Sequence, residues 1–125
     1  FASDNIEVIE IGVPAEHVTT IDHDMALPTK TLNPEREFQG QKFVHNKADE
    51  SSWSNFRIPG FQCRDTTIAE NTKNVAGVQV VRPNGNTIKP SKHDCDILFN
   101  FVMEGTMTLI ASGQSPNELN NLNIL

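Results

Sequence analysis

The sequence predicts an all-β domain, either a sandwich or a barrel of short strands. β-branched and aromatic residues occur in short runs, and Gly, Pro and Asn residues that are typical of turns separate these runs. No segment shows a convincing helical period of apolar residues. Short strands joined by such turns are typical of all-β sandwiches and barrels.

The first predicted strand is IEVIEIGV at residues 6–13, which is rich in β-branched residues and ends at Pro14. Residues 14–57 are polar and predict a loop or linker with at most short strands, around residues 41–44. An irregular connection of that length is uncommon inside one compact domain. We therefore interpret it as a link between two structural units.

Strand patterns return after Pro59 and Gly60. Residues 61–65 predict a short strand, and residues 66–71 predict either a further strand or a short turn. Residues 75–82 predict a clear strand that ends at a turn, because the following Asn-Gly pair favours the positive φ values of a tight reversal.

A second hairpin is predicted near the end of the chain. Residues 97–103 are nearly all apolar, as in a strand that is packed on both sides or lines a barrel. Glu104 and Gly105 then predict a two-residue turn, and residues 106–110 predict the return strand. Residues 112–117 predict another turn.

Composition excludes several classes of function. Ten Lys and Arg residues against sixteen Asp and Glu residues give a net charge of −6, which argues against a nucleic-acid partner. No apolar stretch approaches the ~18 residues of a membrane helix. The start of the chain lacks the basic and apolar regions of a secretory signal, so we predict a cytoplasmic protein in which Cys63 and Cys95 are free thiols, although one disulfide is permitted.

Residues 77–105 resemble the first conserved motif of the cupin superfamily. That motif has a glycine, a His-x-His pair, a glutamate four or five residues later and a final glycine. Here FVMEG at residues 101–105 is similar to the end of the motif, KHDCD at residues 92–96 occupies the histidine stretch, and FQCRDTTIAE at residues 61–70 is similar to the lead-in of small cupins. The resemblance covers about residues 56–119 and implies a cupin-like double-stranded β-barrel of the jelly-roll type.

The family's motif usually holds a divalent metal such as Fe, Mn, Ni or Zn. Alignment on Gly105 places His93 at the second histidine, Ser91 at the first and Leu98 at the glutamate. The second motif of the family is absent. The resemblance therefore implies a cupin domain that binds a small molecule in its barrel, with a degenerate metal site. The alternative is a metal-dependent oxygenase, isomerase or lyase acting on a small organic molecule.

Four ligand-capable side chains lie within four residues, at His93, Asp94, Cys95 and Asp96. On an extended strand His93 and Cys95 share one face, and the two aspartates share the other. The His-Cys pair is a candidate metal site if further ligands come from elsewhere, such as His17, His23 or His45. The alternative is that His93 hydrogen-bonds a neighbour and Cys95 is a small buried apolar residue.

Arg82, Phe99 and Phe101 are the candidate ligand-binding residues of the implied barrel. We expect Arg57, Arg64 and Arg82 to form salt bridges with Asp65 or another surface carboxylate, and the alternative is that they clamp an anionic substrate. Trp53 either stacks on a ligand or anchors a loop on the core. No catalytic residue is predicted.

The start of the chain is similar to the end of a cupin barrel, so the resemblance implies a fragment of a two-barrel protein. Residues 1–25 are interpreted as the last strand and tail of an upstream barrel or as a strand that completes this one, residues 26–55 as a linker, and residues 56–125 as the front half of a cupin-like barrel. A half barrel leaves strand edges and apolar side chains such as Phe99, Phe101 and Met107 exposed. We therefore predict a homodimer or a strand-swapped assembly, or else that residues are missing from the barrel.

Overall fold

A computed structural model of the chain describes residues 4, 6, 8–13, 15–16, 30–85 and 89–121. The chain divides into two compact units, Phe1–Lys89 and Pro90–Leu125. The described residues form small antiparallel sheets and almost no helix. The predicted all-β class is confirmed at this level. The predicted domain boundaries at residues 25 and 55 stay predictions.

A two-stranded hairpin comes first, with β1 (Glu37–Phe38) paired to β2 (Gln41–Lys42). The turn residues Gln39 and Gly40 both have positive φ, at 52° and 77°. Positive φ at both central residues is the type I′ geometry, whose twist matches that of the flanking strands. The strand predicted near residues 41–44 is therefore present, but only as a short piece of this hairpin.

The main sheet of the first unit has three antiparallel strands in the order β3-β4-β5, with a 3₁₀ turn at Ala48–Glu50 preceding it in the chain. The strands are β3 (Ser54–Asn55), β4 (Phe61–Asp65) and β5 (Gln79–Pro83). The central strand β4 has the predicted bounds, because its five residues pair along their whole length with β5. Cys63 on β4 lies between Ser54 and Val81 and is buried.

A short helix, α1 (Ile68–Asn71), occupies the segment for which the sequence left a strand or a turn open. Asp65 Oδ1 accepts a hydrogen bond from the Thr67 backbone N–H at 2.6 Å. This Asx-type turn redirects the chain at the end of β4, and the Asn71 N–H then bonds to the Thr67 carbonyl at 3.1 Å.

The predicted strand at residues 75–82 is too long at its start, since β5 begins only at Gln79. The backbone of residues 75–76, which precedes β5, forms hydrogen bonds with the end of α1. The Val75 N–H bonds to the Thr72 carbonyl at 3.1 Å, and the Thr72 hydroxyl bonds to the Ala76 carbonyl at 3.0 Å. These local bonds use the groups that a strand ladder would need.

In the second unit β6 (Thr106–Leu109) pairs with β7 (Asn117–Asn120). The predicted hairpin turning at Glu104 and Gly105 is wrong. The reversal lies instead at residues 110–116, where the Gln114 N–H bonds to the Ala111 carbonyl at 3.1 Å and Gly113 has a φ of +77°. This turn was predicted, and it sets the register that buries Leu119 opposite Met107.

Two predicted strands are not formed by the described residues. Residues 97–103 contain only an isolated bridge at Phe101, and Ile6 with residues 8–13 belongs to no strand and is exposed. A strand needs a hydrogen-bonded neighbour, and β-branched or apolar composition does not supply one. Apolar composition was therefore a poor predictor of strands in both places.

The core of the described residues is small. Cys63, Val102 and Leu119 are the buried apolar residues, and many large apolar side chains are exposed. The described strands form three separate open sheets and no closed barrel. Within the described part of the chain, no helix has the length and apolarity that a bilayer crossing requires.

Candidate functional site

The strand register of the main sheet places several polar side chains on one face. Gln62 lies opposite Arg82, and Arg64 follows two residues later opposite Val80. Since alternate residues of a strand point to the same side, Gln62, Arg64 and Arg82 share a face. Cys63, Asp65 and Gln79 belong to the other face by the same alternation.

Trp53, immediately before β3, contacts both arginines on this face. The Cζ atom of Arg82 lies 3.9 Å from the centroid of the Trp53 ring, and that of Arg64 lies 5.5 Å from it. A guanidinium over an indole is attracted by the negative face of the ring. We call Trp53, Gln62, Arg64 and Arg82 the arginine-tryptophan cluster.

Hydrogen bonds orient both guanidinium groups. Arg82 donates from Nε and Nη2 to Gln62 Oε1, at 3.4 and 3.1 Å. Arg64 donates from Nη1 to the carbonyl of Ala48 at 3.1 Å. A guanidinium has five N–H donors, so each arginine keeps donors beyond those used in these bonds.

The expected salt bridge between an arginine and Asp65 does not form. Asp65 accepts hydrogen bonds from Gln79 Nε2 at 2.9 Å and from the Thr67 N–H at 2.6 Å. These bonds, that of Gln79 first, lower the pKa of Asp65 below its usual value. Among the described residues, neither Arg64 nor Arg82 forms an ion pair with a carboxylate.

The arrangement can therefore bind an anion. Two guanidinium groups lie within one Debye length of each other, about 10 Å at 0.1 M salt, because both lie against the same ring. Guanidinium donors match the planar geometry of a carboxylate or a phosphate. Trp53, which is half-buried, is the ring against which both guanidinium groups lie.

The second unit brings together one pair of the predicted metal ligands. Cys95 Sγ lies 3.0 Å from His93 Nδ1, and Cys95 is exposed rather than buried as one interpretation expected. Asp94 and Asp96 are exposed as well. In the part of the chain that the structure describes, no group of three or more His, Cys, Asp or Glu residues is placed to hold one metal ion.

The remaining predicted residues lie as follows. Phe99 and Phe101 belong to the second unit, where Phe99 is exposed and Phe101 is half-buried. Arg57 lies over the ring of Phe56, with its Cζ atom 5.4 Å from the centroid. His45 is exposed, and His17 and His23 lie outside the described residues.

Sequence reasoning named Trp53, Arg64 and Arg82 separately and missed that they form one cluster. The signal available was the spacing of Gln62 and Arg64, which are two residues apart on a predicted strand and so share a face. The pairing of Gln62 with Arg82 depends on the register across the long connection through α1, which no local pattern specifies.

Comparison with known proteins found no match to a protein-family model, a curated protein or a solved structure.

Proposed function

We propose that this chain binds a small anionic molecule at the arginine-tryptophan cluster. The observation that carries the proposal is the placement of Arg82, 3.9 Å from the Trp53 ring centroid and hydrogen-bonded twice to Gln62. A guanidinium held in this way has already lost much of its rotamer freedom, so a ligand that binds to it incurs less of the ordering cost.

Electrostatics favour an anion over a neutral ligand. The chain carries a net charge of −6, yet Arg64 and Arg82 lie together on one ring with no carboxylate partner among the described residues. The two guanidinium groups repel each other because both are positive and both lie against the same ring. A bound carboxylate reduces this repulsion. The ligand class that fits is a small carboxylate.

The finer fold assignment belongs to the same proposal. We place the ligand-binding unit in a cupin-type barrel that a second copy of the chain completes, in the cytoplasm. Support comes from the resemblance over residues 56–119 and from exposed apolar side chains next to short strands, among them Phe99, at 38% exposure, and Met103, at 70% exposure. Each outer edge of the β6-β7 sheet lacks a described neighbour, and such edges favour pairing between chains.

Fluorescence of Trp53 tests the anion proposal directly, because it is the single tryptophan and the chain has no tyrosine. Succinate and inorganic phosphate serve as probes, so that a carboxylate site is distinguished from a general anion site. We expect a saturable change in emission with succinate. Arg82→Gln should weaken succinate binding about tenfold, the value of a hydrogen bond to a charged group.

Arg36→Gln is the matched control, since Arg36 also lies over an aromatic ring, with its Cζ atom 4.5 Å from the centroid of Phe38. It removes the same charge outside the cluster and should leave succinate binding within about twofold of the unmodified chain. Equal losses in the two variants would mean that net charge alone attracts the anion. No change in emission at any succinate concentration would refute the proposal.

Metal binding through His93 and Cys95 is the second candidate function, and their 3.0 Å contact favours it. A thiolate and an imidazole are good zinc ligands, but a structural zinc takes four, and this pair supplies two. Titration calorimetry with Zn²⁺ and elemental analysis of the purified protein test this candidate. Stoichiometric zinc that is lost in His93→Ala supports it, and metal content that is unchanged in this variant removes it.

A further inference from the structure

A cleft of about 220 Å³ lies in the first unit between the β1-β2 hairpin and the end of α1. Its lining consists of Glu37, Gly40, Lys42, Glu70, Asn71 and Lys73. None of these residues belongs to the arginine-tryptophan cluster. This volume is smaller than that of a typical drug-sized pocket, so the cleft suits a small ligand.

The side chain of Lys73 lies across the hairpin turn, where a Cβ atom added at Gly40 would lie 2.6 Å from Lys73 Nζ. Lys73 is exposed, and its flexible side chain can move away from such a contact, so it is the φ of +77° that favours glycine at Gly40. The backbone of Lys73 is itself left-handed, at a φ of 53°. Left-handed non-glycine residues are uncommon and persist where the surrounding structure holds them.

Local backbone bonds provide that constraint. The Thr72 N–H bonds to the Ile68 carbonyl at 2.9 Å, and the Asn74 N–H bonds to the Ala69 carbonyl at 2.8 Å. These bonds close the end of α1 on both sides of Lys73. These bonds fix the backbone of Lys73, and its exposed side chain lies beside Gly40 without an ion pair among the described residues.

The four charged residues of the cleft have zero net charge. Glu37 and Glu70 are negative, and Lys42 and Lys73 are positive. Lys42 pairs with Glu35 outside the lining, at 3.0 Å from Nζ to Oε2, and this hydrogen bond raises the pKa of Lys42. Within the described residues, Glu37, Glu70 and Lys73 form no ion pair.

We infer that the cleft binds a small zwitterion of the α-amino-acid class. The ammonium group of the ligand lies against Glu70 and Glu37, and its carboxylate lies against Lys73. A cleft with both signs of charge favours a molecule with both over one that carries a single sign, because a ligand with one sign leaves the opposite charges of the cleft uncompensated.

Nuclear magnetic resonance of ¹⁵N-labelled protein tests the inference with three matched probes. L-alanine carries both charges, propionate lacks the ammonium group, and ethylammonium lacks the carboxylate. We expect L-alanine to shift the amide resonances of Gly40, Asn71 and Lys73 saturably, and each single-sign probe to bind at least about fivefold more weakly.

Two charge-removing variants locate the site. Glu70→Gln and Lys73→Gln should each weaken L-alanine binding by about two- to fivefold, as expected for charge pairs formed by exposed side chains. Glu50→Gln is the control, because Glu50 makes an exposed ion pair with Lys47 outside the cleft, at 3.0 Å. It should leave L-alanine binding unchanged.

Further outcomes separate this inference from the proposed anion site. Arg82→Gln should leave L-alanine binding unchanged, since Arg82 does not line the cleft. Propionate binding as tightly as L-alanine, or shifts confined to the indole N–H of Trp53, would overturn the zwitterion site and leave the anion site standing. The absence of any saturable shift with L-alanine would overturn it as well.

Discussion

The two units of the chain differ in how their strands pair. In the first unit β4 is central and pairs on both sides, and side-chain hydrogen bonds such as Gln79–Asp65 and Arg82–Gln62 connect β4 to β5. In the second unit β6 and β7 pair with each other and with no other strand of the described residues, and residues 97–99 before them are exposed. Strand pairing within the chain, rather than apolar content, therefore separates the more regular unit from the less regular one.

The burial of apolar side chains shows the same difference. Ile97 in the second unit is 83% exposed although it lies in the largely apolar segment at residues 97–103, which Asn100 interrupts. Val102 and Leu119 are the buried residues of that unit among those described. A contiguous apolar run buries itself only when another surface covers both of its sides, and the second unit provides no such cover among the described residues.

The largest expected effect is on the β6-β7 hairpin. Leu119 is 5% exposed and faces Met107 across the two strands. Leu119→Ala should destabilise the hairpin by about 2 kcal/mol or more, because it removes most of a buried side chain. Amide hydrogen exchange measures the loss of protection in β6 and β7.

The emission of Trp53 provides the control for this variant, since Trp53 belongs to the first unit. If the two units are independent, Leu119→Ala leaves the urea transition of Trp53 unchanged. If Leu119→Ala lowers the free energy of unfolding measured by Trp53 as much as it lowers the stability of the hairpin, the two units unfold together.

A smaller effect is expected on self-association. If the apolar run of the second unit is covered by a second copy, Ile97→Asp should weaken dimerisation at least about tenfold, because a charge in an apolar interface loses its hydration. Phe43→Asp is the matched control in the first unit, where Phe43 is 82% exposed, compared with 83% for Ile97. Analytical ultracentrifugation over a range of concentrations measures the dimerisation of both variants.

A chain that is monomeric at all concentrations would contradict the dimer. Equal weakening by the two substitutions would show that the interface is not specific to the second unit. Either outcome would also weaken the proposal that a partner completes a barrel.

The smallest expected effect is the pH dependence of the first unit. Hydrogen bonds from Gln79 and Thr67 lower the pKa of Asp65 in the folded state. The stabilisation is therefore complete above the pKa of the unfolded chain and is lost as the pH falls through the lower folded pKa. Because Asp65 is exposed, this stabilisation amounts to no more than about 0.5 kcal/mol.

Urea unfolding monitored by Trp53 at neutral and acidic pH measures this contribution. Asp65→Asn should reduce the difference between the two pH values, whereas Asp49→Asn, a matched change in the 3₁₀ turn, should not. An unchanged pH dependence in Asp65→Asn would mean that the hydrogen bonds to Asp65 do not favour its ionised form.

Local patterns predicted the parts of the fold that local chemistry specifies. The strand at residues 61–65 and the turn at residues 112–117 were predicted from composition and from Gly and Pro positions, and both are present. The hairpin at Glu104 and Gly105 was not formed, although Gly105 has a φ of +81° suitable for a turn. A glycine permits a reversal, but the hydrogen-bonded partner decides where the strands pair.

The candidate site shows the same division. Arg82 was predicted as a ligand-binding residue and lies in the arginine-tryptophan cluster, whereas the predicted salt bridge to Asp65 or another carboxylate is not formed by Arg64 or Arg82 among the described residues. The charged cleft was missed altogether, because Glu37 and Lys73 are far apart in the chain and no spacing relates them. The proposed barrel, its metal and its ligand stay predictions.

The sequence by itself determined the all-β class, the acidic charge, the turn chemistry and the central strand β4, because each depends on neighbouring residues. Only the tertiary structure decided that β6 pairs with β7 and that Arg64 and Arg82 meet on Trp53. These features depend on contacts between residues that are distant in the chain. Such contacts depend on which of the available surfaces and strand edges pack together most favourably. The sequence of a single segment does not specify this outcome.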